Sequence, residues 1–272
     1  MSAASDADAA TDPLAVRGRV HSLETFGTVD GPGTRLVVFC QGCPMRCAYC
    51  HNPDTWAFAG PDGAGPGDET SVRDILGVFE RNRPFYRRGG ITATGGEPMA
   101  QADFVAALFA AAHAAPAGRI HTCLDTSGAT YETAGAERFS ALLDECDLVL
   151  LDIKASDPAL HRRLCGLSAT HALALGDELA RRGVPVIVRH VVVPGLTDGE
   201  EEVAGVGRII GDWDNVIGLD LLPYHTMGRV KYERLGIAYP LEGVPAMDAA
   251  RCRELRRVAL RARVERRRER GR

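Results

Sequence analysis

The stretch Arg35-Leu-Val-Val-Phe-Cys-Gln-Gly-Cys-Pro-Met-Arg-Cys-Ala-Tyr-Cys50 joins an apolar run to a cluster of cysteines. The run Arg35–Phe39 predicts a strand that is covered on both faces. Cys43, Cys47 and Cys50 follow within one loop, separated by three and two residues. Three thiolates can hold three corners of a cubane iron–sulfur cluster and leave the fourth iron open to a substrate. We therefore predict that these three cysteines are cluster ligands with a catalytic role.

Short β-rich runs and helical patterns alternate along the rest of the chain. The further strand candidates are Gly90–Thr94, Ile120–Asp125, Leu148–Asp152, Val186–Val192 and Val216–Leu222. The helical patterns start near Ser71, with a capping-box-like Ser71 and Asp74, and cover Gln101–Ala115, Ala136–Glu145, Thr170–Arg182 and Thr197–Ile210. Six strands with intervening helices indicate a parallel sheet with right-handed crossovers. A closed barrel of this type needs eight strands and about 250 residues. We therefore predict an α/β fold, a partial (β/α)6 barrel with parallel strands and its ligand site at their carboxyl ends.

Composition limits the classes of partner and compartment. Hydrophobic residues make up 45% of the 272 residues, which is enough for a sizeable core. The net charge of −4 argues against a general polyanion binder, so we expect no nucleic-acid partner. The sequence has no run of 18 apolar residues and no signal-peptide pattern at its start, so we expect no membrane association and a cytoplasmic location.

The sequence pattern divides the chain into three segments. Residues 1–16 are small, polar and aperiodic, which predicts a disordered leader. Residues 17–250 form the catalytic (β/α)6 domain. Residues 251–272 carry eleven Arg and three Glu, and we expect an Arg-rich C-terminal helix or tail whose arginines form a solvated face. The helix would dock through residues at roughly helical spacing, namely Met247, Leu255, Val258 and Ala262.

Other interpretations of the cysteines have to be weighed. Cys43, Cys47 and Cys50 could form a structural zinc site with His51, although zinc ligands usually come in two separated pairs. Cys40 could close the fourth corner of a cluster, but it ends the first strand and we interpret it as core. The remaining cysteines are isolated in the sequence and predicted to be structural, namely Cys123, Cys146, Cys165 and Cys252.

The cysteine motif, with Tyr49 before its last member, resembles the signature of the radical S-adenosylmethionine superfamily. Further motifs extend the resemblance: Gly27-Thr-Val-Asp-Gly-Pro-Gly33, Cys50-His-Asn-Pro-Asp-Thr-Trp56, Thr92-Ala-Thr-Gly-Gly-Glu-Pro98, His121-Thr-Cys-Leu-Asp-Thr126, Leu151-Asp-Ile-Lys154, Val191-Val-Val-Pro-Gly195 and Leu221-Leu-Pro-Tyr-His225. In that order, over residues 17–250, they resemble the pyruvate formate-lyase activators, a family of glycyl-radical activators.

This resemblance implies a reaction and its partners. A [4Fe–4S] cluster would reductively cleave S-adenosylmethionine, and the 5′-deoxyadenosyl radical would take a hydrogen atom from a glycine of pyruvate formate-lyase. The family resemblance also implies a flavodoxin or ferredoxin-type reductant, a monomeric enzyme and a place in anaerobic glucose metabolism.

The resemblance also assigns residues to S-adenosylmethionine. The implied binding set is Tyr49, Cys50, His51, Gly96, Glu97, Asp152, Ile153, Lys154 and His225. Within it, Glu97 would accept bonds from the methionine ammonium, and Lys154 would neutralise the carboxylate. The plain alternatives are a solvated Glu after a Gly-Gly turn and a strand-end ion pair of Lys154 with Asp152. Tyr49 would stack near adenine, with a core aromatic as its alternative.

Two further sites are implied by the same resemblance. Asp125, Thr126 and Asp152 match positions around a monovalent cation. Asp30 matches a substrate position near the bound glycine loop, although a turn-forming Asp is its plain alternative.

Other functions remain open at this point. Activators of some other glycyl-radical enzymes carry an insertion with more cysteines, whereas this chain has no Cys between Cys50 and Cys123. A radical enzyme acting on a small molecule would need a substrate pocket rather than an open groove. A zinc-stabilised binding module would be colourless as isolated.

Overall fold

A computed structural model describes residues 12–60 and 63–271. The strands are β1 (Arg17–Gly27), β2 (Arg35–Cys40), β3 (Asp68–Ser71), β4 (Gly90–Gly95), β5 (His121–Thr126), β6 (Leu148–Asp152), β7 (Val186–Val192) and β8 (Val216–Pro223). The helices are α1 (Val72–Asn82), α2 (Ala102–His113), α3 (Ser140–Asp144), α4 (Pro158–Cys165), α5 (Thr170–Arg182), α6 (Glu200–Gly211), α7 (Arg229–Leu235) and α8 (Ala249–Glu269).

All the strands belong to one open sheet in the order β3-β1-β2-β4-β5-β6-β7-β8. From β2 to β8 every neighbouring pair is parallel, which confirms the predicted α/β fold with six parallel strands. The register aligns the carboxyl ends, since Cys40 pairs with Gly95 and Asp152 pairs with Arg189. Side chains from the ends of these strands therefore meet at one edge of the sheet.

An antiparallel edge was not predicted from the sequence. β1 pairs antiparallel with both β2 and β3 and extends the sheet beyond the parallel strands. β3 has only four residues, of which Ser71 alone is buried. Ser71 also caps α1 in a capping box with Asp74, so the predicted start of that helix is confirmed.

Helix α8 covers the other edge of the sheet. It packs on α6 and β8 and buries Cys252, Leu255, Ala259 and Ala262. Arg256 Nε donates to the Leu219 carbonyl at 2.8 Å, and an Arg263 amine donates to the Val216 carbonyl at 2.6 Å. Both acceptors lie on β8, the edge strand, whose free carbonyls these arginines satisfy. Arg256 and Arg263 thus contact the sheet edge, whereas Arg253, Arg257, Arg261 and Arg268 are exposed, as expected for a solvated face.

The predicted leader is only partly described. Residues 1–11 lie outside the described residues. Residues 12–16 were assigned to the same disordered leader, but Pro13–Ala15 forms a 3-10 turn capped by Asp12. Leu14 and Val16 pack against the main core, and the Val72 N–H donates to the Val16 carbonyl at 2.9 Å. Burial of these two apolar side chains explains why the segment is ordered.

No helix among the described residues is long and apolar enough to cross a membrane.

Candidate active site

A cavity of about 450 Å³ opens at the carboxyl ends of the parallel strands. Its walls come from the loop after β2 and from the ends of β4 to β8. Most of the predicted site residues line it: Asp30, Cys43, Cys47, Tyr49, Cys50, His51, Gly96, Asp125, Thr126, Asp152, Lys154 and His225. Glu97 and Ile153 do not line it. The structure thus brings together residues that are spread over almost two hundred positions in the sequence.

The three predicted cluster ligands lie on one wall of this cavity. Cys43 and Cys47 are buried and Cys50 is half-buried. Burial raises the pKa of the Cys43 thiol to about 12 and that of Cys50 to about 11. A thiolate is costly there because the loss of water outweighs the charges and hydrogen bonds that favour it, so cation binding would be coupled to proton release.

Backbone hydrogen bonds fix the loop that carries these thiols. The Gly42 N–H donates to the Thr55 carbonyl at 2.8 Å, and the Cys50 N–H donates to the Cys47 carbonyl at 3.0 Å. The loop also rests on the end of α4, where the Ala48 N–H donates to the Leu164 carbonyl at 2.8 Å. The loop therefore holds its shape through contacts within this chain.

Two other cysteines have clear positions. Cys40 lies fully buried in the main hydrophobic core and does not line the cavity. Cys165, which the sequence suggested was isolated, lies behind the cysteine loop. Its thiol hydrogen-bonds Cys47, and this bond is the main reason that the pKa of Cys47 falls to about 7.

The Gly-Gly pair packs against the cysteine loop. Gly95 has a φ of +106°, which favours glycine, and a Cβ at Gly96 would lie 2.3 Å from the Gly42 carbonyl oxygen. The Glu97 N–H donates to that same carbonyl at 2.8 Å. These glycines allow the loop after β2 to approach the end of β4 closely, and Gly96 also lines the cavity.

Glu97 lies behind the wall of the cavity. Its side chain is fully buried, and its carboxylate accepts from the hydroxyls of Thr126 at 2.5 Å and Ser127 at 2.5 Å. The Ser127 and Met99 N–H groups donate to it as well, at 3.0 and 3.1 Å. Its oxygens thus hold the segment after β5 in place, and its contact with the methionine ammonium stays a prediction.

A network of charges crosses the floor of the cavity. Lys154 Nζ donates to Asp152 at 2.7 Å, and Arg189 Nε donates to the other oxygen of Asp152 at 3.0 Å. Arg189 also pairs with Asp125. Burial would raise the pKa of Asp152, but Arg189 and Lys154 outweigh it and lower that pKa to about 2. Burial dominates for Asp125 and raises its pKa.

Arg189 was missed by the sequence analysis. It is a charged residue in the middle of a strand whose other residues, apart from His190, are Val or Ile, and that position was the signal that could have found it. Its guanidinium joins two of the carboxylates that were predicted to surround a monovalent cation.

Asp30 lines the same cavity as this network. Burial first and the nearby Asp125 second raise the pKa of Asp30 from 3.8 to about 6. Its backbone carbonyl accepts from the Thr92 hydroxyl at 2.7 Å, while Thr92 also accepts from Arg35 Nε at 2.6 Å. Arg35 is fully buried inside the sheet, so a rigid interior network supports the Asp30 turn.

Unpartnered polar atoms mark where a ligand fits. Among the described residues, the Tyr49 hydroxyl and His225 Nδ1 are buried without a hydrogen-bond partner. The His51 and His225 rings meet edge to face at 4.0 Å, and Lys154 Nζ lies 5.8 Å from the Tyr49 ring centre. With three thiols on one wall, these groups fit a cluster and S-adenosylmethionine, a ligand with both polar and aromatic parts.

The described residues do not form a binding site for a single metal ion. Within residues 12–60 and 63–271, no three His, Cys, Asp or Glu side chains are grouped to hold one ion. A cubane cluster differs from a single ion because its ligands bind separate iron atoms.

Comparisons with known proteins agree with this geometry. Residues 37–205 match the family model described as the Radical SAM superfamily. The pyruvate formate-lyase-activating enzyme of Streptococcus mutans is 44% identical over 246 residues, covering 89% of this chain and 91% of that protein. The enzyme of the same name from Staphylococcus aureus is 42% identical over 237 residues, covering 86% and 91%.

A solved structure shares the fold. The radical SAM methyltransferase from Sphaerobacter thermophilus aligns with a TM-score of 0.58 and 16% identity, over 84% of this chain and 64% of that chain. That likeness concerns the fold alone, whereas the family match and the two relatives concern the sequence over most of its length. The chain belongs to the radical SAM superfamily and, within it, to the family of pyruvate formate-lyase-activating enzymes.

Proposed function

We propose that this chain activates pyruvate formate-lyase by generating a radical on one of its glycines. The observation that carries the proposal is that Cys43, Cys47 and Cys50 line the same cavity as Lys154 and Asp152. The names of the relatives from S. mutans and S. aureus support the choice of partner. When bound, a [4Fe–4S] cluster and S-adenosylmethionine supply a one-electron reductive cleavage whose product abstracts a hydrogen atom.

The residues of this chain bind and orient these groups. The three thiols hold the cluster and leave one iron free. Lys154 presents a cation to the methionine carboxylate. Burial would lower the pKa of the lysine, but Asp152, Cys47 and Tyr49 together outweigh it and raise that pKa. His225 and Tyr49 offer unpartnered polar atoms at the same cavity. The proposed S-adenosylmethionine set is therefore Tyr49, Cys50, His51, Gly96, Asp152, Lys154 and His225, with Glu97 and Ile153 acting from behind.

The protein substrate enters from the open side of the cavity. Asp30 and the exposed Val29 both line it, and Val29 is 81% exposed. A glycine segment seated there would exclude water from the reacting atoms, which a reactive radical requires. Asp30 is proposed to contact that segment.

Several finer assignments belong to the same proposal. A monovalent cation would lie near Asp125, Thr126 and Asp152, where Arg189 already pairs with both carboxylates. A flavodoxin or ferredoxin-type protein would supply the electron. We propose a monomer that acts in the cytoplasm.

An anaerobic activation assay tests the function. The protein is mixed with a reductant, S-adenosylmethionine and pyruvate formate-lyase, and the glycyl radical is followed as a doublet in electron paramagnetic resonance. We expect the doublet with the natural partner and none when its radical glycine is changed to Ala. Turnover of a small molecule without any doublet on the partner would overturn the proposal.

A further inference from the structure

Arg46 lies inside the cysteine loop, between two of the predicted cluster ligands. The loop segment Cys43-Pro-Met-Arg-Cys47 has to turn tightly so that Cys43 and Cys47 present their thiols to the same cavity. Arg46 is an exposed residue, but its guanidinium folds back onto this segment. One of its terminal amines, Nη1, donates to the Cys43 carbonyl at 2.8 Å and to the Met45 carbonyl at 2.7 Å.

Arg46 supplies the hydrogen-bond donor for these two carbonyls. Among the described residues, no other hydrogen bond to the carbonyls of Cys43 or Met45 is present, whereas the loop N–H groups of Arg46 and Ala48 bond to the end of α4. The N–H of Arg46 donates to the Cys165 carbonyl at 3.0 Å. The side chain of Arg46 therefore links the loop backbone at Cys43 and Met45. Its backbone N–H links the loop to the end of α4.

An aromatic ring holds the guanidinium in place. The Arg46 guanidinium carbon lies 5.1 Å from the centre of the Trp56 ring, which packs edge to face on Tyr232 at 5.7 Å. Trp56 belongs to the segment that returns from the loop, and its carbonyl accepts from the Cys43 N–H at 3.2 Å. A cation above an indole face is attracted by the ring, and the planar guanidinium stacks there as an ammonium does not.

We propose that Arg46 is a positioning residue that locks the segment from Cys43 to Cys47 in the shape that receives a cluster. The inference rests on the proposed cluster site but not on the identity of the protein substrate. Arg46 does not line the cavity, so it acts through the two cysteines on either side of it. A lysine in its place keeps the charge but replaces the planar guanidinium that contacts Trp56 with a compact ammonium.

The test uses the anaerobically reconstituted protein and follows the bleaching of the cluster absorbance by an iron(II) chelator. We expect R46A, R46Q and R46K to lose iron about ten-fold faster than the wild-type protein, since the first two remove the charged donor and the third removes the guanidinium that contacts Trp56. Arg257→Gln is the matched control, because Arg257 is exposed on α8. It is expected to lose iron at the wild-type rate.

Two results would overturn the inference. Wild-type iron retention in R46Q and R46A would mean that the loop needs no clamp. Wild-type retention in R46K alone would mean that a positive charge at this position is enough and the guanidinium is not needed. Circular dichroism of each metal-free variant checks that it is folded. A wild-type protein that forms no cluster would instead contradict the proposed function.

Discussion

Lys154 Nζ lies 2.7 Å from a carboxylate oxygen of Asp152, and both side chains line the cavity. The second oxygen of Asp152 is held by Arg189, so Asp152 stays paired if the lysine is removed. Because Arg189 still pairs with Asp152 when Lys154 is removed, no buried carboxylate is left unpaired. Lys154 is therefore free to bind a ligand.

Lys154→Ala is therefore expected to weaken S-adenosylmethionine binding with the cluster intact. A charge-assisted bond contributes about 1.5–3 kcal/mol, which corresponds to roughly 10- to 150-fold in affinity. Equilibrium binding measured on the reconstituted protein checks this. Lys154→Arg, which keeps the charge, should lose less; unchanged affinity in the Ala variant would leave Lys154 as a strand-end ion pair.

If Cys43, Cys47 and Cys50 are the cluster ligands, substitutions at these three residues should affect the cluster and a substitution at Cys40 should not. Changing Cys43, Cys47 or Cys50 to Ala should abolish the brown chromophore or leave an unstable cluster, since each removes one ligand. Cys40→Ala should retain about four irons per chain, because a cubane needs only the three loop thiols here. Iron and sulfide analysis after reconstitution decides the matter, and loss of iron from the Cys40 variant would contradict the three-ligand site.

Glu97 is expected to stabilise the protein without any cofactor. Glu97→Gln replaces one acceptor oxygen by an amide NH2 donor that faces hydroxyls and N–H groups, so it should lower the free energy of unfolding by about 1–3 kcal/mol. Urea denaturation of the metal-free protein measures this, with the exposed Glu132→Gln as control. A Glu97 that contacted only the methionine ammonium would leave the stability of the metal-free protein unchanged.

Asp30 should make stability depend on pH. Its pKa rises from 3.8 to about 6 on folding, mainly through burial. The folded protein thus binds this proton more tightly than the unfolded chain, and stability falls as pH rises through that window. Asp30→Asn should remove this slope and be more stable than wild type above pH 7, by about 1–2 kcal/mol after allowance for solvent screening. Denaturation at pH 4 and pH 7.5 checks this; equal slopes in the two proteins would contradict it.

The parallel strands were predictable because their burial on both faces leaves near-continuous apolar runs. Leu148–Asp152 and Val186–Val192 have the predicted bounds. β1 was missed because it is half-exposed and rich in polar residues, and β3 because its four residues form a strand only by pairing with β1. Such strands are specified by tertiary contacts rather than by local pattern.

The site was predictable where residues stand at the ends of strands. Lys154 and His225 both line the cavity as expected from their positions. Sequence could not show that Glu97 turns away from the cavity, because the same Gly-Gly-Glu pattern fits either direction. It also could not show that Cys165 lies behind Cys47, since that contact joins α4 to a loop more than a hundred residues earlier.

The most direct test of the proposed function follows one hydrogen atom. Pyruvate formate-lyase carrying deuterium on the Cα of its radical glycine is activated anaerobically by this protein with S-adenosylmethionine and a reductant. The account predicts one deuterium-labelled 5′-deoxyadenosine for each glycyl radical, measured by mass spectrometry and electron paramagnetic resonance. Formation of 5′-deoxyadenosine without the label would contradict it.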